Sequence, residues 1–313
     1  MRNFALRSWA FAAAFAAALS PSVAAERRFD HIYVIVLENH DFDDAFDAQT
    51  PFLLDLSKTR ALATNYHGVA HPSLPNYLAM IGGDTFGVTD DAASCFASDL
   101  APLQSCNKID GESLADQLEA ASLDFAFYGE TLPAPGALVQ WHPGVFDKLY
   151  AQKHNPFAYF RTIATSPARL AKLKPFDAFG ADLAGKMANV VFIVPNQCHD
   201  GHGAAGCNDE ATLKRDYDAF AKNAIELIRK SPNWTAKSAI VVTFDEGEVK
   251  KDAPDENHIA TVVATKCGKA MPNGARFDHY SLLATIEDGF GLPRLRKAAS
   301  APSMMEMFGR GCK

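Results

Sequence analysis

The chain has 313 residues, with 30 Lys and Arg, 37 Asp and Glu, and a net charge of −7 at pH 7. It contains no long run of Lys or Arg, so we expect neither a nucleic-acid-binding surface nor stable association with a membrane. Hydrophobic residues make up 48% of the chain, and the sequence shows no low-complexity linker or internal repeat. These properties favour a single domain with a large core and inserted loops.

Residues 1–25 have the pattern of a secretory signal peptide. Arg2 and Arg7 precede an apolar run, and a segment of small residues ends at Ala25. The apolar run is short for a helix that spans a bilayer, which needs about 20 residues. We therefore expect cleavage after Ala25 and export to the periplasm or the medium. Loss of the two arginines would change the net charge to −9, and residues 26–313 would form the mature domain.

The six cysteines fit an exported protein, because disulfide bonds persist in oxidising compartments. No CxxC spacing occurs, which argues against a thiolate metal site. The count and spacing alone leave the connectivity open. We expect neighbouring cysteines to pair, as Cys95–Cys106, Cys198–Cys207 and Cys267–Cys312.

Continuous apolar runs predict strands that are buried on both faces of a mostly parallel sheet. The predicted strands are 31–38, 190–195, 239–246 and 259–265, with a weaker fifth at 123–130, and the predicted helices are 111–122, 209–231 and 278–291. This alternation predicts an α/β sandwich with helices flanking the sheet. Residues 131–185 are rich in Pro, Phe and Ala without clear periodicity, and we interpret them as an insertion over the sheet.

Polar side chains follow three of the predicted strands at the point where each strand ends. They are Glu38, Asn39 and His40; Asn196, His199, Asp200 and His202; and Asp245 and Glu246. In open α/β sheets, ligands bind just beyond the carboxyl ends of the strands. Clustered carboxylates and imidazoles at this edge predict a divalent cation, with Zn, Mn or Fe suited to mixed ligands and Ca or Mg to oxygen ligands alone.

The alternative treats each of these groups separately. Glu38 would then cap a helix, His199 and His202 would be polar loop residues, and Asp245 would belong to a surface turn. Three acidic or imidazole-bearing strand ends in one sheet favour the metal site over this alternative.

The segment HPSLPNYLAMIGG, residues 71–83, predicts the start of a helix. Ser73 stands ahead of Pro75, where a serine ordinarily caps the helix by accepting a backbone N–H. The same position also faces the positive end of the helix dipole, which favours an anionic ligand. From the residues alone, Ser73 is a cap, a nucleophile, or both.

Six segments, taken in order, resemble the phosphoesterase family, which comprises secreted acid phosphatases and bacterial phospholipases C within the alkaline-phosphatase superfamily. They extend from about residue 29 to 293 and are VIVLENHDFDDAF, HPSLPNYLAMIGG, KHNPFAYF, PNQCHDGHG, VVTFDEGE and FDHYSLLATIEDGFGL. The resemblance implies an alkaline-phosphatase-like three-layer sandwich, in which helices flank a mostly parallel central sheet. Residues 26–313 would then be one phosphoesterase catalytic domain.

The resemblance also implies a set of site residues. The implied metal ligands are Glu38, Asn39, Asp245 and Glu246, and Ser73 is implied to be the nucleophile coordinated to the same ion. Relatives commonly carry His or Asn after the aspartate, so Glu246 matches less well than Asp245. By analogy with nucleotide pyrophosphatases, Asn76 would donate hydrogen bonds to phosphoryl oxygens. Metal coordination lowers the pKa of a hydroxyl enough to make it an effective nucleophile.

The number of metal ions stays open. Asp200, His202 and His279 match a second metal site in the superfamily, although the spacing of Asp200 and His202 differs. With one ion, His199, His202 and His279 would instead bind phosphate or protonate the leaving group. His154, in KHNPFAYF, is a further phosphate or leaving-group contact, or else a structural loop histidine.

These features predict metal-dependent hydrolysis of small phosphate monoesters through a phosphoserine intermediate, the reaction of an acid phosphatase. Phospholipases C of the family carry additional carboxyl-terminal domains, and the sequence shows no conspicuous lipid-binding segment. A phosphodiesterase or phospholipase C activity is the alternative. A more distant alternative is an inactive phosphate- or sugar-binding protein.

Overall fold

The computed structural model describes residues 27–91, 109–249 and 257–309. The predicted signal peptide, Cys95, Cys106 and Cys312 lie outside these ranges. Across these three ranges, every helix is too short or too polar to cross a membrane.

Two sheets form within the described residues, a large mixed sheet of nine strands and a separate two-stranded hairpin. In the large sheet the order is β10-β2-β9-β8-β1-β7-β3-β6, with β11 also paired to β2, and β4 pairs with β5 in the hairpin. The strands are β1 (His31–Leu37), β2 (Ala61–His67), β3 (Phe125–Gly129), β4 (Trp141–His142), β5 (Tyr150–Ala151), β6 (Leu173–Pro175), β7 (Val190–Val194), β8 (Ser238–Phe244), β9 (His258–Thr265), β10 (Met271–Asn273) and β11 (Phe277–Asp278).

The sheet is mostly parallel because β9 is the only strand among those described in it that runs in the opposite direction. β1 pairs in parallel with β7 and β8, and β7 pairs in parallel with β3. β9 lies antiparallel between β8 and β2, so β2 runs in the same direction as β8. The apolar run at 259–265 indicates a strand that is buried on both faces of the sheet. Parallel and antiparallel central strands are both buried in this way, so the run does not indicate the direction of β9. All five predicted strands are present.

Helices pack on the sheet around one hydrophobic core. They are α1 (Pro51–Thr59), α2 (Ser73–Gly82), α3 (Leu114–Ala120), α4 (Arg161–Ala164), α5 (Pro167–Leu170), α6 (Phe179–Asp182), α7 (Glu210–Lys230) and α8 (His279–Phe290), with short 3-10 turns at Gln152–His154, Pro156–Tyr159, Phe176–Ala178, Arg296–Ala299 and Met305–Phe308. α1 packs against α7, whereas α2 packs against α3 and α8. The three predicted helices correspond to α3, α7 and α8, and the predicted α/β class is confirmed.

The ends of α7 and α2 follow from local sequence. The carboxylate of Asp209 accepts the backbone N–H of Thr212 at 2.9 Å, which satisfies a donor that has no partner within α7. α7 ends at Lys230, two residues before Pro232, whose ring cannot continue a helix. α2 ends at Gly82, and the next residue, Gly83, has a φ of 67°, in the left-handed region that glycine adopts without strain.

Residues 131–185, which we predict to be an insertion, contain the β4–β5 hairpin, several short helices and β6. β6 extends the edge of the large sheet by pairing with β3. The hairpin leads directly into the 3-10 turn Gln152–His154, which brings Lys153 and His154 to the carboxyl edge of the sheet.

The common direction of β1, β2, β7 and β8 places the segments that follow them at one edge. Leu37 and Phe244 are register partners in the parallel β1–β8 pair, so the next residues, Glu38 and Asp245, emerge side by side. The Asp245 N–H donates to the Leu37 carbonyl at 2.9 Å and extends the pairing past the strand ends. The backbone pairing of β1 and β8 alone therefore places Glu38 and Asp245 next to each other.

Glu287 is a buried carboxyl in α8, two helical turns beyond the amino end of that helix. Burial raises the pKa of Glu287 to about 8, although its side chain accepts the Leu295 N–H at 2.8 Å. The folded chain therefore keeps a proton on this carboxyl at a pH at which the unfolded chain has released it.

Replacing Glu287→Gln should flatten the pH dependence of stability. Because the folded pKa is raised, the free energy of unfolding contributed by this group is highest below about pH 4.5 and falls as the pH rises towards 8. Urea unfolding at pH 5 and pH 8.5 should show a smaller loss of stability for the variant than for the wild type. Glu226→Gln on the exposed face of α7 is the matched control. Parallel pH profiles for wild type and Glu287→Gln would contradict this account.

Candidate functional site

Ser73 is the first residue of α2 and is almost completely buried. Its Oγ lies 3.0 Å from Oε2 of Glu38 and 3.1 Å from Oε1 of Glu246. The N-cap position of α2 is Pro72, whose side chain cannot accept a hydrogen bond from the helix. The N–H of Leu74 donates instead to Oδ1 of Asp91 at 3.0 Å. Asp91 therefore satisfies the start of the helix and leaves the Ser73 hydroxyl directed at two carboxylates.

Glu38 is fully buried directly behind Ser73. Its Oε1 accepts the Tyr77 hydroxyl at 2.7 Å and lies 3.1 Å from Nε2 of His154. The rings of Tyr77 and His154 stack with centroids 5.3 Å apart and an interplanar angle of 16°. These contacts hold one oxygen of Glu38, while the other faces the serine.

Asp200 and Asp245 are also completely buried at this edge. Oδ1 of Asp200 accepts the His202 N–H at 2.8 Å, and Oδ1 of Asp245 accepts the Asn39 N–H at 3.3 Å. Oδ2 of Asp200 lies 3.3 Å from Nδ1 of His154. Neither Oδ2 atom has a hydrogen-bond partner among the described residues. An unsatisfied buried carboxylate oxygen is costly, so this pair of atoms indicates a place for a cation.

Glu38, Asp200, Asp245 and Glu246 form what we call the carboxylate cluster. Burial, together with repulsion from neighbouring carboxylates, raises the pKa of Glu38 to about 7 and moves those of Asp200 and Asp245 well above their usual range. Lys153 opposes this negative charge. Burial acts to lower the pKa of Lys153, but the carboxylates of Glu38 and Asp91 outweigh it and raise that pKa.

The donor set fits a divalent cation, since carboxylate oxygens, the Ser73 hydroxyl and an imidazole converge where oxygen atoms lack partners. In 27–91, 109–249 and 257–309, no three His, Cys, Asp or Glu side chains stand close enough together to enclose an ion as they are.

A cleft of about 770 Å³ opens above the carboxylate cluster. Ser73, Asn39, Lys153, His202 and Glu246 line it, whereas Glu38, Asp200 and Asp245 lie behind its wall. The site thus has a polar face open to a small ligand and a buried acidic layer beneath.

His202 lines the cleft. Its Nδ1 donates to the carbonyl of Gly203 at 2.9 Å, and its Nε2 lies 3.3 Å from Nζ of Lys153. Burial and the charge of Lys153 lower the pKa of His202. A neutral His202 therefore presents an Nε2 without a hydrogen to the cleft.

Asn76 has partners that differ from those the sequence predicts. Its Oδ1 accepts the N–H groups of Val69 and Ala70, and its Nδ2 donates to the carbonyls of Ala70 and Pro72. All four bonds go to backbone, so the amide holds the loop before Ser73 in place and has no N–H left for a phosphoryl oxygen.

His279 and His199 also have partners outside the cleft. Nε2 of His279 donates to the Asp245 carbonyl at 2.5 Å, and Nδ1 accepts the Tyr66 hydroxyl at 3.1 Å. His199 pairs with Glu130, with Nδ1 2.8 Å from Oε1. His279 supports the backbone of Asp245 from behind, and His199 belongs to a separate ion pair.

Sequence reasoning missed Lys153, Asp91 and Tyr77. Lys153 stands next to His154 in KHNPFAYF, and Tyr77 lies one helical turn after Ser73, so both had a signal in the motifs. Asp91 has no local signal, because only the fold brings it to the first turn of α2 and to Lys153.

The predicted disulfide Cys198–Cys207 is present and encloses the loop that carries Asp200 and His202. Cys267 also takes part in a disulfide bond. The predicted pairs Cys95–Cys106 and Cys267–Cys312 involve residues outside the described ranges and stay predictions.

The sequence profile of the Phosphoesterase family matches residues 46–293. The chain belongs to this family. The "Phosphate-repressible acid phosphatase" of Penicillium chrysogenum is 28% identical over 288 residues, which cover 89% of this phosphoesterase chain and 63% of the relative. The "Phosphatidylinositol-3-phosphatase" of Mycobacterium tuberculosis is 29% identical over 286 residues, which cover 90% of this chain and 83% of that protein. This phosphoesterase spans only 59% to 63% of the length of its fungal relatives.

Solved structures confirm the predicted alkaline-phosphatase-like fold of this phosphoesterase. A protein of the alkaline phosphatase superfamily from Vibrio parahaemolyticus superposes with a TM-score of 0.56 at 11% identity, covering 89% of this chain and 71% of that one. A phosphonate monoester hydrolase from Silicibacter pomeroyi gives a TM-score of 0.54 at 12% identity, covering 91% and 77%. Identities this low establish the fold alone.

Removing the disulfide of this phosphoesterase with Cys198→Ser and Cys207→Ser should lower stability. The bond joins residues nine positions apart, and closing so short a loop stabilises the folded state by about 2–3 kcal/mol. Urea unfolding under non-reducing conditions measures the loss, with Ser57→Ala on α1 as a control outside the loop. An unchanged free energy of unfolding would contradict the structural role assigned to this bond.

Proposed function

We propose that this phosphoesterase hydrolyses phosphate monoesters as an acid phosphatase, with Ser73 as the nucleophile and a divalent cation as cofactor. The observation that carries the proposal is the placement of the Ser73 hydroxyl. It lies at the amino end of α2, within 3.1 Å of two carboxylates and at the bottom of the cleft. Acid phosphatases among its relatives support the same reaction.

The cation would be held by side chains from three segments that meet at the carboxyl edge. These are Glu38, Asn39, Ser73, Asp245 and Glu246, with Asp200 and His154 adjoining a place for a second ion. When bound, a divalent cation stabilises charge on phosphoryl oxygens and lowers the pKa of a coordinated hydroxyl. Zn, Mn, Fe, Ca and Mg are all compatible with this ligand set.

In the first displacement, Ser73 Oγ attacks phosphorus and passes its proton to Glu38 or Glu246, which accept its hydrogen bond. The bond from phosphorus to the alcohol oxygen breaks, and the alcohol leaves with a proton taken from that carboxyl or from water. The positive end of the α2 dipole faces the developing negative charge.

In the second displacement, a water oxygen attacks the phosphoserine and the bond between phosphorus and Ser73 Oγ breaks. Nε2 of His202 lines the cleft without a hydrogen, and it would accept a proton from that water once the N–H of Lys153, with Nζ 3.3 Å away, turns to the bound phosphate. Ser73 Oγ regains a proton, and inorganic phosphate is released. This assigns His202 to the hydrolytic step, whereas Asn76 positions the loop that leads to Ser73.

A phosphomonoester on a lipid headgroup is the second candidate substrate. The Mycobacterium tuberculosis relative, whose name specifies a phosphatidylinositol phosphate, is matched over more of its length than the fungal relatives. Val145 and Phe146, in the loop between β4 and β5, are 62% and 85% exposed, which is unusual for large apolar side chains.

Ser73→Ala should abolish turnover while leaving the fold intact. Loss of a catalytic nucleophile typically lowers kcat by a factor of about 1,000 or more. The assay compares a nitrophenyl phosphate monoester with the corresponding diester and a phosphocholine analogue, and wild-type enzyme should prefer the monoester. After acid quenching with the monoester, mass spectrometry should find phosphate on the peptide that contains Ser73.

Ser57→Ala is the matched control, because Ser57 lies on α1 and donates to the Leu54 carbonyl outside the cleft. It should keep wild-type activity. A folded Ser73→Ala enzyme with wild-type kcat would rule out the nucleophile. Preference for the diester or for the phosphocholine analogue would replace the monoesterase with a diesterase or a phospholipase C, and inactivity on all three would favour a binding protein.

A further inference from the structure

Lys153 is a buried cation that the family motifs leave unexplained. It is only 7% exposed, yet its ammonium group reaches the wall of the cleft beside the nucleophile. Burying a lysine this deeply is costly unless its charge has a specific partner.

The three N–H groups of the ammonium have three partners. Nζ lies 3.1 Å from Oγ of Ser73, 3.0 Å from Oδ2 of Asp91 and 3.3 Å from Nε2 of His202. The contact with His202 is the longest of the three, so the N–H directed at it is the one that a phosphoryl oxygen in the cleft would accept in place of His202.

Asp91 fixes the position of this ammonium relative to the nucleophile. Its Oδ2 accepts from Lys153, while its Oδ1 accepts the N–H of Leu74, the residue after Ser73. One carboxylate therefore ties Lys153 to the first turn of the helix that carries Ser73. The next residue in the chain, His154, is held by stacking on Tyr77 of the same helix.

We propose that Lys153, positioned by Asp91, binds a non-bridging phosphoryl oxygen and makes this site selective for monoester dianions over diester monoanions. This inference rests on the proposed function. A group within hydrogen-bonding distance of Ser73 Oγ is also within reach of the oxygens on the phosphorus that Ser73 attacks. A monoester dianion carries a second negative charge on those oxygens, and a diester does not.

The charge difference gives the selectivity. Coulomb attraction scales with the product of the charges, so an ammonium in this partly desolvated wall attracts a dianion about twice as strongly as a monoanion. Charge-assisted hydrogen bonds to such oxygens are also shorter and stronger than neutral ones. If the charge of Lys153 and a bound metal were both missing, the carboxylate cluster beneath the cleft would repel a dianion.

The alternative role for Lys153 is purely structural, as a counter-charge to the carboxylate cluster. That role predicts equal losses for monoester and diester substrates when the lysine is removed, with no specific change in phosphate affinity. Substrate selectivity and phosphate affinity therefore separate the two roles.

The test compares wild-type, Lys153→Gln and Lys153→Arg enzymes loaded with the same divalent ion at pH 7. Lys153→Gln should lower kcat/KM for the nitrophenyl monoester by about 10- to 100-fold and lower that for the diester much less. The Kd of inorganic phosphate, measured by calorimetry, should rise by a similar factor. Lys153→Arg should retain most of the preference, because it keeps the charge.

The effect should also shrink at pH 5, where a monoester with a second pKa near 6 is mostly a monoanion. Equal losses for monoester and diester, or an unchanged Kd for phosphate, would overturn the inference. If Lys153→Gln does not fold, Asp91→Asn takes its place and should lower the preference for the monoester several-fold. An unchanged preference in Asp91→Asn would overturn the inference. An active Ser73→Ala enzyme would instead overturn the proposed function, so the two failures are distinguishable.

Discussion

The parallel register of β1 and β8 is the constraint on which the rest of the site depends. Leu37 and Phe244 are paired, so Glu38 and Asp245 leave the sheet next to each other and become buried there. Carboxylates so close together repel each other, and burial removes the water that would screen them. The hydroxyl of Tyr77 and the ammonium of Lys153 offset part of that charge, and a bound cation would offset more.

The start of α2 also has polar groups that need partners. A helix begins with N–H groups that need acceptors, and a serine at its first turn would ordinarily supply one. Here Asp91 supplies the acceptor from a distant part of the chain, so the Ser73 hydroxyl points at Glu38 and Glu246. Asn76 holds the preceding loop through four backbone contacts. Capping of α2 and the nucleophilic role that we propose for Ser73 thus fall to different residues, which the sequence could not separate.

Much of the fold was predictable because the central strands are continuous apolar runs and their carboxyl ends bear polar residues. β2 was missed because its sequence, ALATNYH, mixes buried and partly buried positions in a strand near the edge of the sheet. The direction of β9 was not predictable either, since burial on both faces does not depend on strand direction. Register and direction are set by tertiary packing rather than by local pattern.

The sequence indicated that Glu38, Ser73 and Asp245 lie at the carboxyl edge of the sheet, but it indicated less about the residues that contact them. Glu38, Ser73 and Asp245 follow strands or begin a helix, so sequence position indicates where they lie. Lys153 and Asp91 become neighbours only through long-range folding. His199 and His279 have the residue type that the chemistry needs, but their nitrogens bond to other groups. Residue type and spacing cannot reveal which hydrogen-bonding atoms are already occupied.

The most direct measurement of the central claim is the metal content of the purified protein. Elemental analysis without added metal should find at least one divalent ion per chain in the wild type and none in a folded variant carrying Glu38→Gln and Asp245→Asn. Chelation should remove the ion together with the activity, and restoring the ion should restore both. A wild-type protein that is free of metal and fully active after exhaustive chelation would contradict the account.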